Sequence, residues 1–319
     1  MFTGVSRKDV EFEALGSLTN MSYKVTTGET AYVLRLPGDD TWEYIDRRAE
    51  EHNSGIAATA GIGAEVLYFD TRSGTMVSRF VEGAVLDGAG LARDAEALTR
   101  VARIIRRVHG LGRLFRFRFD VFSMILRCRD LLRRLRGRLP EGYDRLERRA
   151  GQARRALEAS PVPLAACHND PWPHNFIDTG EGIRLIDWEF SGMNDPFWDL
   201  AHLSAEAGFG PEQDQTLVEA YFGVATPQRF FARLELYKAM GDLLWSLWGF
   251  IQHANDNPAD DFLAYARGRF ARCEGRMSSP EFGRHLEVVG EGHRMWTVRT
   301  AGLREGYLTS PSVRRANRR

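Results

Sequence analysis

The sequence predicts an α+β fold in two lobes, a small antiparallel sheet carrying one helix followed by a larger, mainly helical part. Three observations carry this expectation. At 319 residues the chain exceeds the size usual for one core. Residues 12–80 alternate short β-rich runs with turns, whereas the apolar residues beyond them recur at helical spacing. The texture changes at "EGAVLDGAG", which puts the expected lobes at residues 1–79 and 80–319.

Each element follows from local pattern. Residues 23–26 and 31–36 are β-rich runs joined by a turn containing Gly28, a hairpin signal. In "TWEYIDRRAEEHNSGIAATAG" the apolar residues Trp42, Ile45, Ala49, Ile56 and Ala57 precede a stop at Gly61, which predicts a helix. "AEVLYFD" and "TMVSRFV" predict another strand pair. Beyond residue 80, helices are expected over 91–109, 122–139, 217–222, 230–253 and 262–277, with short strands at "HNFID" and "IRLID". The arginine-rich run 127–155 mixes Arg with Leu and Glu and predicts an amphipathic, solvated helical hairpin. Residues 278–319 have weak periodicity and read as a docking extension or as frayed chain, with fraying expected for the last ten.

Composition narrows the function. Lys+Arg and Asp+Glu both number 43, so the net charge is zero and a general polyanion binder is not expected. Acidic residues interleave the basic run and aromatics are scarce in it, which argues against a nucleic-acid partner. Cys128, Cys167 and Cys273 are widely spaced with no CxxC pair, a pattern of reducing compartments and not of structural zinc. The first sixteen residues lack the apolar core of a secretory signal, and no apolar run approaches ~18 residues. A cytoplasmic protein without membrane insertion is expected.

The chemistry concentrates in "CHNDPWPHNFI", residues 167–177, followed by "DWEF" from residue 187. Metal-assisted phosphoryl transfer needs a carboxylate beside the attacking hydroxyl, an oxygen ligand for magnesium and a second carboxylate bridging metal and phosphates. Asp170, Asn175 and Asp187 supply that set. The five-residue step from Asp170 to Asn175 is the one found in the protein-kinase catalytic loop. Asp187 ends the run "IRLI", so a short hairpin returns it towards Asn175. The alternative is a loop whose polar side chains form Asx-turns. A zinc site through His168 and His174 lacks a third ligand at suitable spacing, and His168 is expected to hold the loop instead.

Together, "HNDPWPHNFID" and "IRLIDWEFSGMNDPFWDLA" resemble the choline and ethanolamine kinase family, relatives of the aminoglycoside phosphotransferases with a two-lobed protein-kinase-like fold. The resemblance runs in order over residues 15–272, through "GSLTNMSYKV" as nucleotide loop, "YVLRLPG" as third strand, "RRAEEHN" as the helix after it and "RFVEG" as interlobe connector. It implies ATP and Mg2+ as cofactors, Asp170 as catalytic base, Asn175 and Asp187 as magnesium ligands, and Arg35 as a phosphate contact held by Glu50. A guanidinium fork binds two phosphate oxygens while a carboxylate fixes its direction. A plain sheet-to-helix ion pair is the alternative for Arg35 and Glu50. The nucleotide loop has only Gly16 where protein kinases are glycine-rich. Thr19, Asn20 and Ser22 are its candidate phosphate contacts, and Arg79, Phe80, Val81 and Glu82 the adenine contacts.

The acceptor is read from "DLLWSLWGFIQ" and "DFLAYARGRF". Trp245 and Trp248 are three apart and share a helix face, and Tyr265 follows seventeen residues later. Converging aromatics form a cage for a quaternary ammonium. A Trp pair at this spacing is also what a packed core produces. The order WxxW, then Tyr-Ala-x-x-Arg-Phe, resembles choline kinases and implies a choline pocket, with ethanolamine as second acceptor. Glu189 or Asp242 would add negative charge, and Glu189 is an alternative contact for a second magnesium. Asp195 and Asp199 are expected to brace the catalytic loop. "HANDNPADDF" keeps an aminoglycoside acceptor open, and a non-catalytic nucleotide sensor is the rival of another class. The expected partner is a small molecule, with a homodimer left open.

Overall fold

The computed structural model describes residues 10–16, 18–38, 45–112 and 114–291. Its first part is a five-stranded antiparallel sheet of β1 (Val10–Leu15), β2 (Met21–Thr27), β3 (Thr30–Leu36), β4 (Val66–Phe69) and β5 (Met76–Arg79), in the order β1-β2-β3-β5-β4. The expected hairpin is β2–β3, turning at Gly28, whose φ of 59° suits glycine. Its register pairs Arg35 with Ser22 on one side, and β5 pairs Arg35 with Met76 on the other. Arg35 therefore sits on the central strand.

Helix α1 (Arg47–Thr59) packs against β4. Asp46 caps it by accepting from Arg48 N and Ala49 N at 3.0 Å, and the chain leaves through left-handed Gly61. The part of the expected helix at residues 41–44, with Trp42, lies outside the described residues. The chain passes to the second lobe through β6 (Ala84–Val85). Gly83 has a φ of 158°, and a Cβ there would meet Asp178 O at 2.4 Å.

The second lobe is helical, as expected, with boundaries moved by caps. The helix expected over 91–109 is two, α2 (Gly88–Arg93) and α3 (Ala95–His109), because Asp94 is extended and caps α3. α4 (Val121–Arg134) stops before residue 139, at a left-handed Arg136 and Gly137. With α5 (Tyr143–Ala159) it forms the expected hairpin. β7 (Ala165–Cys167) leads into the loop at residues 168–172, and a 3₁₀ turn (Pro173–Asn175) leads out of it. β8 (Phe176–Asp178) and β9 (Ile183–Leu185) form the short hairpin, joined by β6, and β10 (Gly192–Asn194) pairs with β7.

α6 (Pro196–Ala207), α7 (Pro211–Phe222), α8 (Gln228–Ala254), α9 (Phe262–Ser278) and α10 (Pro280–Gly290) complete the fold. α7 begins six residues before its expected start, with Pro211 in its first turn. α8 is buried along most of its length and packs against α4, α6, α9 and α10. α10 docks through buried Phe282 and Val289, so the extension reading holds for 280–290; the last ten residues lie outside the described ones. All three cysteines are free and buried. Burial pushes the Cys128 thiol up to about 12 and raises Cys167 and Cys273 well above the ordinary thiol value. Among the described residues no helix is long and apolar enough to cross a membrane.

Candidate active site

The loop at residues 168–175 is built on a carboxylate one helix away. Asp199, on α6, accepts from His168 N and Asn169 N, both at 2.8 Å. Asn169 holds a left-handed φ of 69° because every part of it is engaged. Its Nδ2 donates to Phe190 O, its Oδ1 accepts from Asn194 Nδ2, and its carbonyl accepts from Trp198 Nε1. His168 donates through Nε2 to Ile186 O at 2.9 Å, which ties the loop to the β9 end as expected for it. Asp199 braces the loop; Asp195 caps α6 and binds Arg233 and Tyr237.

The same scaffold brings Asp170, Asn175 and Asp187 together. Asn175 Nδ2 donates to Asp170 O at 3.0 Å, which leaves its Oδ1 as an acceptor. Ile186 N donates to Asn175 O at 2.9 Å, so the hairpin sets Asp187 beside Asn175. Asp187 takes a φ of 66°, uncommon for a residue with a side chain and typical of functional turns. All three line one cavity of about 890 Å³ between the lobes.

The sheet side of that cavity is an ionic network. Arg35 binds Glu50 at 2.5 Å and faces Asp187 Oδ1 at 3.5 Å and Glu189 at 3.9 Å. Arg47 bridges Glu50 at 2.7 Å and Glu189 at 3.1 Å, and Asn20 donates to Glu189 at 3.2 Å. Burial raises the Glu50 carboxyl, with Arg35 and Arg47 opposing it. Asp170 and Asp187 open onto the cavity, with side chains 23 % and 34 % exposed, yet its walls withhold enough water to matter. Burial, then the neighbouring carboxylates, raise Asp170 well above the ordinary value and push Asp187 up to about 7. Asp187 Oδ1 has no hydrogen-bond partner. Crowded carboxylates, one with an oxygen not taken up by a hydrogen bond, and an amide oxygen alongside are the hard donor set a magnesium ion takes, so these residues fit that ion.

Thr19, Asn20, Ser22, Arg79, Phe80 and Val81, the candidate nucleotide contacts, line the cavity. Glu82 does not: its exposed side chain turns to Lys24. Trp245, Trp248 and Tyr265 also converge on the cavity, with ring centroids 5.8 and 5.9 Å apart at steep angles. Glu189 lines the cavity too, but Arg47 and Asn20 hold its carboxylate on the Arg35 side. Asp242 is corrected outright. It is fully buried outside the cavity lining and bound by Arg269, Arg272 and Arg276, so it has no charge to offer an acceptor. Of the three Asp in "HANDNPADDF" only Asp260 reaches the cavity; Asp261 caps α9.

Sequence reasoning missed Phe190, His202 and Glu206, which all line the cavity. Asp199, His202 and Glu206 fall on one face of α6, three and four residues apart. The available signal was Asp195-Pro196, a cap followed by proline at the first helical position.

A phosphotransferase site of this geometry has relatives. The model of the phosphotransferase enzyme family, APH, matches residues 11–236, and the chain belongs to this family. Within it, a choline/ethanolamine kinase family protein from Mesorhizobium loti superposes with a TM-score of 0.77 at 46% identity, over 88% of this chain and 93% of that one. Choline kinase LicA from Streptococcus pneumoniae gives 0.75 at 26% identity, over 85% and 94%. Protein LicA of Haemophilus influenzae is 25% identical over 269 residues, 82% of this chain and 79% of its own length. The chain is a phosphotransferase of this family, similar in sequence and fold to choline kinases, with a protein-kinase-like fold.

Proposed function

We propose that the enzyme transfers the γ-phosphoryl group of ATP, with magnesium, to the hydroxyl of choline, with ethanolamine as second acceptor. The observation that carries this reading is the meeting of Asp170, Asn175 and Asp187 with Trp245, Trp248 and Tyr265 in one cavity. A solved LicA complex with AMP supports a nucleotide in the same fold. Lobes divide at residues 1–79 and 80–319, and three free thiols favour a reducing, cytoplasmic setting.

Asp170 takes the acceptor's hydroxyl proton and orients the oxygen for in-line attack. Asn175 and Asp187 would hold magnesium, which when bound supplies neutralisation of the phosphate charge. Arg35, its direction fixed by Glu50, draws on phosphate oxygens, and Thr19, Asn20 and Ser22 lie under the phosphates. Adenine lies against the connector, where Arg79, Phe80 and Val81 line the cavity; Glu82, outside that lining, takes no part. The aromatic faces of Trp245, Trp248 and Tyr265 meet the trimethylammonium. Glu206 lines that side of the cavity, paired with Arg269, whereas Glu189 stays with the arginines at the phosphate end.

A panel of amino alcohols with ATP and magnesium tests the reading, with phosphorylated product measured directly. Choline should be the best acceptor. Asp170→Ala should lower kcat by about 10²–10⁴-fold while nucleotide affinity stays near normal. Phosphocholine formation at the unmutated rate in that variant would overturn the assignment.

A further inference from the structure

One buried titratable group at the acceptor end has no part in the steps above. His202 is 1 % exposed, lines the cavity, and makes no hydrogen bond through either ring nitrogen. Native proteins rarely leave a buried imidazole so, and a catalytic role is one of the reasons they do. Its Nε2 lies 3.4 Å from Asp170 Oδ1 and 3.6 Å from Glu206 Oε1. The ring is wedged between Trp198, with centroids 5.9 Å apart, and Trp245, at 5.4 Å. It has no room to swing away.

The surroundings define its protonation. Asp170 faces it from the catalytic loop, Glu206 from one turn along α6, and Arg269 from α9, where Arg269 itself binds Glu206 at 2.6 Å. Asp199 and His168 act at longer range. Burial, then Arg269, hold the imidazole well below its ordinary value, so it is neutral. A neutral imidazole has one N–H. With Asp170 ionised, as its role as base requires, an N–H on Nδ1 would leave a bare Nε2 lone pair facing two carboxylate oxygens, whereas an N–H on Nε2 is a donor to both.

We propose that His202 is a positioning residue for the transfer, a neutral Nε2–H imidazole shared between Asp170 and Glu206. The inference rests on Asp170 being the base. By engaging Oδ1 of Asp170, the imidazole fixes the carboxylate plane and leaves Oδ2 for the acceptor hydroxyl. The gaps of 3.4 and 3.6 Å exceed formed hydrogen bonds, so the proposal requires the carboxylates to draw in on the imidazole once the acceptor is bound.

The test uses the full-length enzyme in two ways. His202→Leu should lower kcat about tenfold to hundredfold with KM for ATP unchanged, and His202→Asn, which keeps a donor, should recover most of that loss. Nitrogen-15 NMR of histidine-labelled wild-type enzyme should show His202 as the Nε2–H tautomer at pH 7, its signals shifting when choline and a non-hydrolysable ATP analogue are added. A wild-type kcat in folded His202→Leu, an Nδ1–H tautomer, an imidazolium at pH 7, or signals unmoved by ligand would each overturn the proposal. The NMR experiment decides if the leucine variant fails to fold. Failure of the base assignment is distinct, since it would show as retained turnover in Asp170→Asn.

Discussion

Asp199 shows how much of this site depends on one side chain that touches no substrate. Its two oxygens accept His168 N, Asn169 N and His109 Nε2, all within 3.0 Å and all buried. Burial alone would raise its carboxyl, but the hydrogen bonds from His109 and His168 outweigh it and hold the group below its ordinary value. A depressed carboxylate contributes stability in full above the unfolded pKa of about 4 and loses it as pH falls through the folded value. Asp199→Asn should therefore cost about 3 kcal/mol at pH 7. Urea unfolding of both proteins should show that gap constant above about pH 5 and shrinking below about pH 4. A gap independent of pH would show that the charge is not what the loop needs.

Among the elements, those with local signals were legible and those wrapped in apolar surroundings were not. The loop pair Asp170 and Asn175 and the hairpin to Asp187 follow from spacing of a few residues. α6 escaped because Phe197, Trp198, Leu200, Ala201 and Leu203 bury it all round, which erases the helical period. His202 and Glu206 were lost with it. Asp242 misled because its three arginines lie on α9, some thirty residues on, and no spacing rule links them. α10 packs on α8 and α5 through Phe282, Leu286 and Val289, a helical spacing too short, at eleven residues, to stand out from the aperiodic stretch around it. The connector strand β6 is similarly short, yet its entry is tightly constrained at Gly83. Gly83→Ala combines a positive φ with a Cβ 2.4 Å from Asp178 O and should cost about 2 kcal/mol or more. Gly182→Ala, with nothing within 4 Å, should unfold at the wild-type urea concentration. Equal midpoints for the two variants would refute the close approach.

Across the whole molecule the lobes are tied at both sides of the cavity. Leu185 N donates to Ile62 O and Arg184 to Gly61 O on one side, and Asn257 donates to Leu18 O on the other. Cys128, Cys167 and Cys273 lie in the helical part, within α4, at the end of β7 and within α9. Their burial and raised thiol values predict that none reacts with a disulfide reagent at pH 8 in the native enzyme and that all three react in denaturant. Fast labelling of even one native thiol would contradict that packing. The same silence makes the wild-type background ready for fluorophores. A cysteine introduced at Glu29 in the β2–β3 turn and another at Arg155 would be the two reactive positions, and a dye on each would report lobe separation by energy transfer without removing any natural sulfur.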